Sequence, residues 1–205
     1  MKLMFLGFIG ILMLSTSNNA SASPWFCKGL ECPKFNLLNK TKDYEVRQYG
    51  SLTWVTTSHI GQWKSDILGE LLFKNLFSYI EGNNTMKKQL DLAVPLLTKL
   101  ESAGDRGSIY TMHLLIPREN IDHLPSPLNT NLTFITIPPS TYYIRSFDGV
   151  AYDRQYMKVL QELVNAINDT GAYPDDFFYT ATYDHPQVKE NRHNEVWLLK
   201  KEKIP

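Results

Sequence analysis

Five histidines, two cysteines and a glutamate set beside aromatic residues are the side chains of this 205-residue chain best suited to chemistry. Carboxylate catalysis needs a raised pKa in a pocket, and Glu195, inside Asn194-Glu195-Val196-Trp197, is the candidate. Its competing reading is structural, a pairing with Arg47 or Arg192 where a last strand meets a sheet. His185 and His193 flank one loop and can approach each other, but two histidines without a third ligand make a poor metal case. His113, beside Met112, reads as a packed strand residue, His59 as a turn residue and His123 as a solvated loop residue. Cys27 and Cys32 close a loop of four residues with no further ligands nearby, so one disulfide is the economical reading. So short a loop removes little chain entropy, and the bridge should pin the amino terminus rather than support the domain. There is no Gly-x-Ser-x-Gly elbow, metalloprotease histidine pair or phosphate-binding glycine-rich loop. These residue types argue against an enzyme.

Residues 1–22 read as a signal peptide. Lys2 precedes an apolar run from Leu3 to Leu14, about a dozen residues and too short to cross a bilayer. The small residues Ala20-Ser21-Ala22 follow, with cleavage expected after Ala22 or, alternatively, after Ala20. Without Lys2 the chain carries 20 basic and 21 acidic side chains, a balance that offers no field for nucleic acid or an anionic membrane. No second stretch is long enough to span a membrane. Four sequons, at Asn39, Asn83, Asn131 and Asn168, fit export and name glycosylation sites. Secretion to the extracellular space is the expectation.

The elements that must position these groups can be read from periodicity. Tyr44–Thr57 has strand character on both sides of Gly50. Trp63–Ile80 changes to helical steps, with Ile67, Leu68, Leu71, Leu72, Leu76 and Tyr79 on one face, a cap at Ser65 and an end at Gly82-Asn83. Leu90–Thr98 is strand-like but broken by Pro95, which predicts an edge or a bulge. Ser108–Ile116 is a strand and 118–131 a surface loop. Phe134–Pro138 and Thr141–Phe147 are strands, and Tyr152–Thr170 is a helix with Tyr156, Val159, Leu160, Leu163 and Ile167 inward, ending at Gly171. Strands Phe177–Tyr183 and Glu195–Lys200 close the chain. Tyr44–Tyr49 is similar to Tyr142–Phe147, and the order of strand, helix and strands repeats. The fold class is therefore α+β, a duplicated strand-helix-strand unit forming a distorted antiparallel barrel-like sheet with two main helices.

Several ordered motifs resemble those of SOUL-type haem-binding proteins. Tyr44-Glu45-Val46-Arg47-Gln48-Tyr49-Gly50, with Trp54-Val55 behind it, looks like the family's opening strand. Phe77–Asn84 is similar to its helix end and turn, and Leu92-Ala93-Val94-Pro95 takes the place of a diverged Met-Thr-Ala-Pro-Val strand. Arg145–Gly149 and Tyr179–Trp197, with Arg192-His193-Asn194-Glu195-Val196-Trp197, match most closely. The resemblance runs from Tyr44 to Lys200. With the readings above, the chain divides into a signal peptide (1–22), an amino-terminal extension with a disulfide (23–40) and a domain that resembles the SOUL type (41–203). The resemblance implies haem or metal-free porphyrin, bound non-covalently in a shallow apolar groove beside a helix. Many members are intracellular, so the leader marks a secreted branch.

Haem is a flat apolar disc with two propionates, so a carrier needs apolar walls and a cation or two. Phe73, Leu76 and Phe77 offer the wall, unless that helix face is all core. Lys189 and Arg192, in the loop before the final strand, are the candidate propionate partners, with Lys74 also available. Some members carry a histidine where this chain has Gln48, so an axial iron bond is not assured and apolar enclosure is expected. A secreted glycoprotein acting by protein–protein contact without haem is the alternative. Leu160, Leu163 and Ile167 would be its helical anchors, for a partner the sequence does not name. A small-molecule hydrolase is the third class, carried by relatives of the wider fold group.

Overall fold

The computed structural model describes residues 23–61, 66–185 and 187–202. The expected leader and the helix start at Trp63 and Ser65 lie outside these residues. The elements are β1 (Phe35–Lys40), β2 (Glu45–Tyr49), β3 (Leu52–Gly61), α1 (Asp66–Ile80), β4 (Leu96–Ser102), β5 (Ser108–Leu115), β6 (Thr133–Ile137), β7 (Ser140–Asp148), α2 (Asp153–Ile167), β8 (Phe177–Thr182) and β9 (His193–Leu199). The strands form one curled sheet of nine, in the order β1-β2-β7-β9-β8-β4-β5-β3-β6, with every pairing antiparallel. This is the expected α+β architecture.

The duplication is written into that order. The units are β2-β3-α1-β4-β5 and β6-β7-α2-β8-β9, and β1 is an extra edge strand. Each unit lends its first strand to the second strand of the other, so β2 pairs with β7 and β6 with β3. The units meet at β4 and β8, where Thr98 lies opposite Thr180. The similar segments Tyr44–Tyr49 and Tyr142–Phe147 are not equivalent strands of the two units. Those segments are neighbouring strands, with Glu45 opposite Ile144, and the true counterpart of β7 is β3. Adjacent strands share the same buried and exposed faces, which gives them similar patterns without equivalent places.

Other expectations shift for local reasons. The first strand-like stretch divides into β2 and β3 at Gly50-Ser51. Pro95 precedes β4, which is central rather than an edge, so the missing N–H removes no ladder bond. The second helix stops earlier, because Asn168 at φ 50° takes the left-handed cap position assigned to Gly171. Helical spacing puts Leu71 on the core face, but it is exposed. The 118–131 loop contains a 3₁₀ turn at Arg118–His123.

Alternation along the strands builds three packed clusters. Met112 and Leu114 of β5 and Val55 of β3 face α1, meeting Leu72, Leu76 and Tyr79. Val196 and Leu198 of β9 face α2, meeting Tyr156, Val159 and Leu163. The opposite sheet face buries Tyr49, Trp54, Leu97, Tyr142, Ile144, Tyr179 and Trp197. Strand β9 is covered on both faces, so His193 to Leu198 are all buried. The Cys27–Cys32 disulfide forms. Cys27 belongs to the core, Phe26 stacks on His193 at 4.3 Å, and Lys28 pairs with Asp184.

A candidate ligand-binding cleft between the helices

The helices do not cover the whole sheet. Helix α1 packs on β3 and β5, and α2 packs on β7 and β9. Among the described residues, neither helix packs mainly on the strands between, β4 and β8. A cleft of about 830 Å³ opens there, with Leu96 and Thr98 of β4 and Thr180 and Thr182 of β8 on its floor. That size lies within the usual range of small-molecule pockets. Phe73 and Phe77 form the α1 wall, and Ala151–Arg154 with Tyr156 form the wall at the start of α2. Leu30, from the disulfide loop, and Leu92 extend the apolar side. Asp184, His185, Gln187 and Arg192 border the end near the last loop.

Phe73 and Phe77 sit one helical turn apart, and their rings stack at 5.4 Å with planes 22° apart. Both are half-buried, packed against the α1 core while still lining the cleft. Leu76 lies elsewhere. It is 0% exposed and faces the sheet in the core, because one residue along a helix turns the side chain by about 100°. Lys189 and Lys74 are exposed and do not line the cleft, whereas Arg192 does. Arg192 donates from Nη1 to the Val188 carbonyl at 3.1 Å, which steadies the last loop.

Sequence reasoning missed Arg154 and Tyr152 and set His185 aside as a poor metal ligand, and all three lie on the cleft wall. Arg154 lies in the first turn of α2, where the helix dipole also favours an anion, although Asp153 beside it offsets part of that field. A surface arginine at a helix start carries no sequence signal for this role, and only the opposition of the two helices reveals it. Floor residues Thr98, Thr180 and Thr182 were equally hidden inside strand patterns. Thr182 and Tyr156 share a 2.8 Å hydrogen bond across the floor. Gln48 is exposed on β2, away from the cleft lining.

Glu195 takes its structural role. It is 0% exposed and accepts hydrogen bonds from Arg47 (2.9 Å), Tyr183 (2.8 Å), His193 Nε2 (2.9 Å) and Trp197 Nε1 (2.7 Å). Burial alone would raise its pKa, but the His193 bond, the Arg47 charge and the Trp197 bond together hold it below the ordinary value. Arg47 also pairs with Glu45 at 2.7 Å and lies over the Phe35 ring at 4.5 Å. A carboxylate so satisfied and ionised is a poor general acid. The partner is Arg47, not Arg192. Among the described residues, no group of three or more histidine, cysteine or acidic side chains is arranged to hold a metal ion. Nor, among them, is any helix long and apolar enough to cross a membrane.

Fold and cleft together define a pseudo-symmetric α+β half-barrel with an open apolar pocket between paired helices. The family model for SOUL heme-binding protein matches residues 30–199. The chain belongs to that family. Human Heme-binding protein 2 is 33% identical over 162 residues, covering 77% of this chain and 78% of its own. Bovine Heme-binding protein 1 is 25% identical, covering 94% and 98%. Both relatives are named for binding rather than for a reaction. A putative transcription regulation protein from Staphylococcus aureus shares the fold, with a TM-score of 0.52 at 16% identity over 79% of this chain and all of its own.

Proposed function

We propose that this chain is a secreted, non-enzymatic carrier that holds haem or metal-free porphyrin non-covalently in the cleft between α1 and α2. The observation that carries the proposal is the stacked Phe73–Phe77 pair on the wall of an 830 Å³ cleft, in a chain of the SOUL family. A flat macrocycle can pack against that aromatic pair and over a floor of Leu96 and the side chains of Thr98, Thr180 and Thr182. Its carboxylates can reach Arg192 and Arg154, whose guanidinium groups suit bidentate pairing. Export rests on the Leu3–Leu14 run before Ala20-Ser21-Ala22 and on the cysteine pairing. The four sequon asparagines are all exposed, as glycan attachment requires.

Hemin titrated into the mature protein should give a saturable one-to-one Soret shift. Phe73→Asp and Phe77→Asp should each weaken binding by about tenfold or more, since a charge replaces a stacked ring, while the circular dichroism stays native. Identical titrations for wild type and both variants would remove the carrier and favour the haem-free interaction glycoprotein. Export is checked by expressing the full chain in a secreting cell line. The protein should leave the cells without residues 1–22 and lose mass on deglycosylation.

A further inference from the structure

We propose that His185 is the axial ligand through which the cleft distinguishes an iron porphyrin from the metal-free ring. The inference rests on the carrier reading above and names the residue that would give it metal selectivity. Of the five histidines, all of them among the described residues, His185 is the one that lines the cleft. His113 is buried on the opposite sheet face beside Trp54 and Tyr179. His193 is engaged with Glu195 and stacked under Phe26. His59 and His123 are exposed away from the lining.

The orientation of His185 suits the task. Its ring stands 73° to the plane of Phe73 with centroids 6.2 Å apart, while Phe73 and Phe77 lie within 22° of parallel. A macrocycle lying parallel to the Phe73 ring would stand at a steep angle to the imidazole plane, a relation that a histidine holding iron requires. The preceding residue is well held. Asp184 is buried, pairs with Lys28 and accepts from the His193 amide at 2.7 Å. Nδ1 accepts the Gln187 amide at 3.3 Å, so in this arrangement the neutral ring carries its proton on Nε2. For Nε2 to hold iron, the ring proton would move from Nε2 to Nδ1, and that long, exposed contact would be given up. No net proton is released. The lost contact is a weak one, and the coordination bond replaces it.

The test compares ferric hemin with metal-free protoporphyrin on wild type, His185→Gln and His123→Gln. His185→Gln should weaken hemin about tenfold and move the Soret and visible bands, because the iron changes its ligand field. Protoporphyrin affinity, followed by fluorescence, should fall far less than hemin affinity in His185→Gln, and His123→Gln should match wild type with both ligands. Equal hemin affinity and spectra in wild type and His185→Gln would overturn the assignment. So would an equal loss of both ligands in His185→Gln, which would make the residue part of the wall rather than an iron ligand. If wild type binds neither ring, the carrier reading itself falls and takes this ligand with it. If wild type binds protoporphyrin but not hemin, only the ligand assignment falls.

Discussion

His113 should make the protein lose stability on mild acidification. Its ring is 2% exposed, and neither nitrogen has a hydrogen-bond partner among the described residues. Burial, helped by the charge of Lys99, lowers its pKa from 6.5 to about 4. The groups facing it across the strands are Trp54, Thr56, Leu97 and Tyr179. None of these accepts a proton. In the unfolded chain the imidazole takes up a proton near its ordinary pKa, while in the folded chain it stays neutral until about pH 4. Between those values the unfolded state binds more protons, so stability rises with pH and falls as the solution is acidified. A shift of that size is worth about 3 kcal/mol when fully expressed, of which about 2 kcal/mol appears between pH 7 and pH 5. His113→Leu should abolish that loss, and by removing two buried unpartnered nitrogens it should also raise stability at pH 7 by about 1 kcal/mol or more. Urea unfolding of both proteins at the two pH values measures the effect. Equal losses in wild type and His113→Leu would refute the reasoning.

Arg154→Ala and Arg192→Ala should each weaken hemin binding by several-fold, roughly 1 kcal/mol, while Lys189→Ala leaves the titration unchanged. Leu76→Ala should lower stability by about 2–5 kcal/mol, as a core cavity does, without a specific effect on the ligand at saturating folded protein. Replacing Cys27 and Cys32 together by serine should cost about 2 kcal/mol by chain entropy and a few degrees in thermal melting, and should loosen the Leu30 side of the cleft. Glu195→Gln leaves Arg47 buried without its full partner, and a destabilisation of about 3 kcal/mol in urea unfolding is expected. That carboxylate's lowered pKa gives stability that is present above its ordinary value and lost as pH falls through the lower folded value, so the Gln variant should lose less on strong acidification.

Elements, duplication and core were legible because period is a local property. Leu72, Leu76 and Tyr79 repeat at helical spacing, and Val196 and Leu198 alternate with Glu195 and Trp197, so the chain itself marks which side of each element is oily. The stacking of Phe73 on Phe77 was also readable, since residues four apart share a helix face. Whether that face was sealed or open was not readable, and Leu76 and Phe77, adjacent in sequence, fall on opposite sides of the question. The answer depends on strand order. Because each unit lends its first strand to the other, the two helices settle over β3–β5 and β7–β9, and the central pair β4–β8 is left as a floor. That arrangement brings Arg154 from one helix and His185 from the last loop opposite Phe73, across more than eighty residues of chain. Local pattern determined the walls, and only long-range strand pairing decided that a space lies between them.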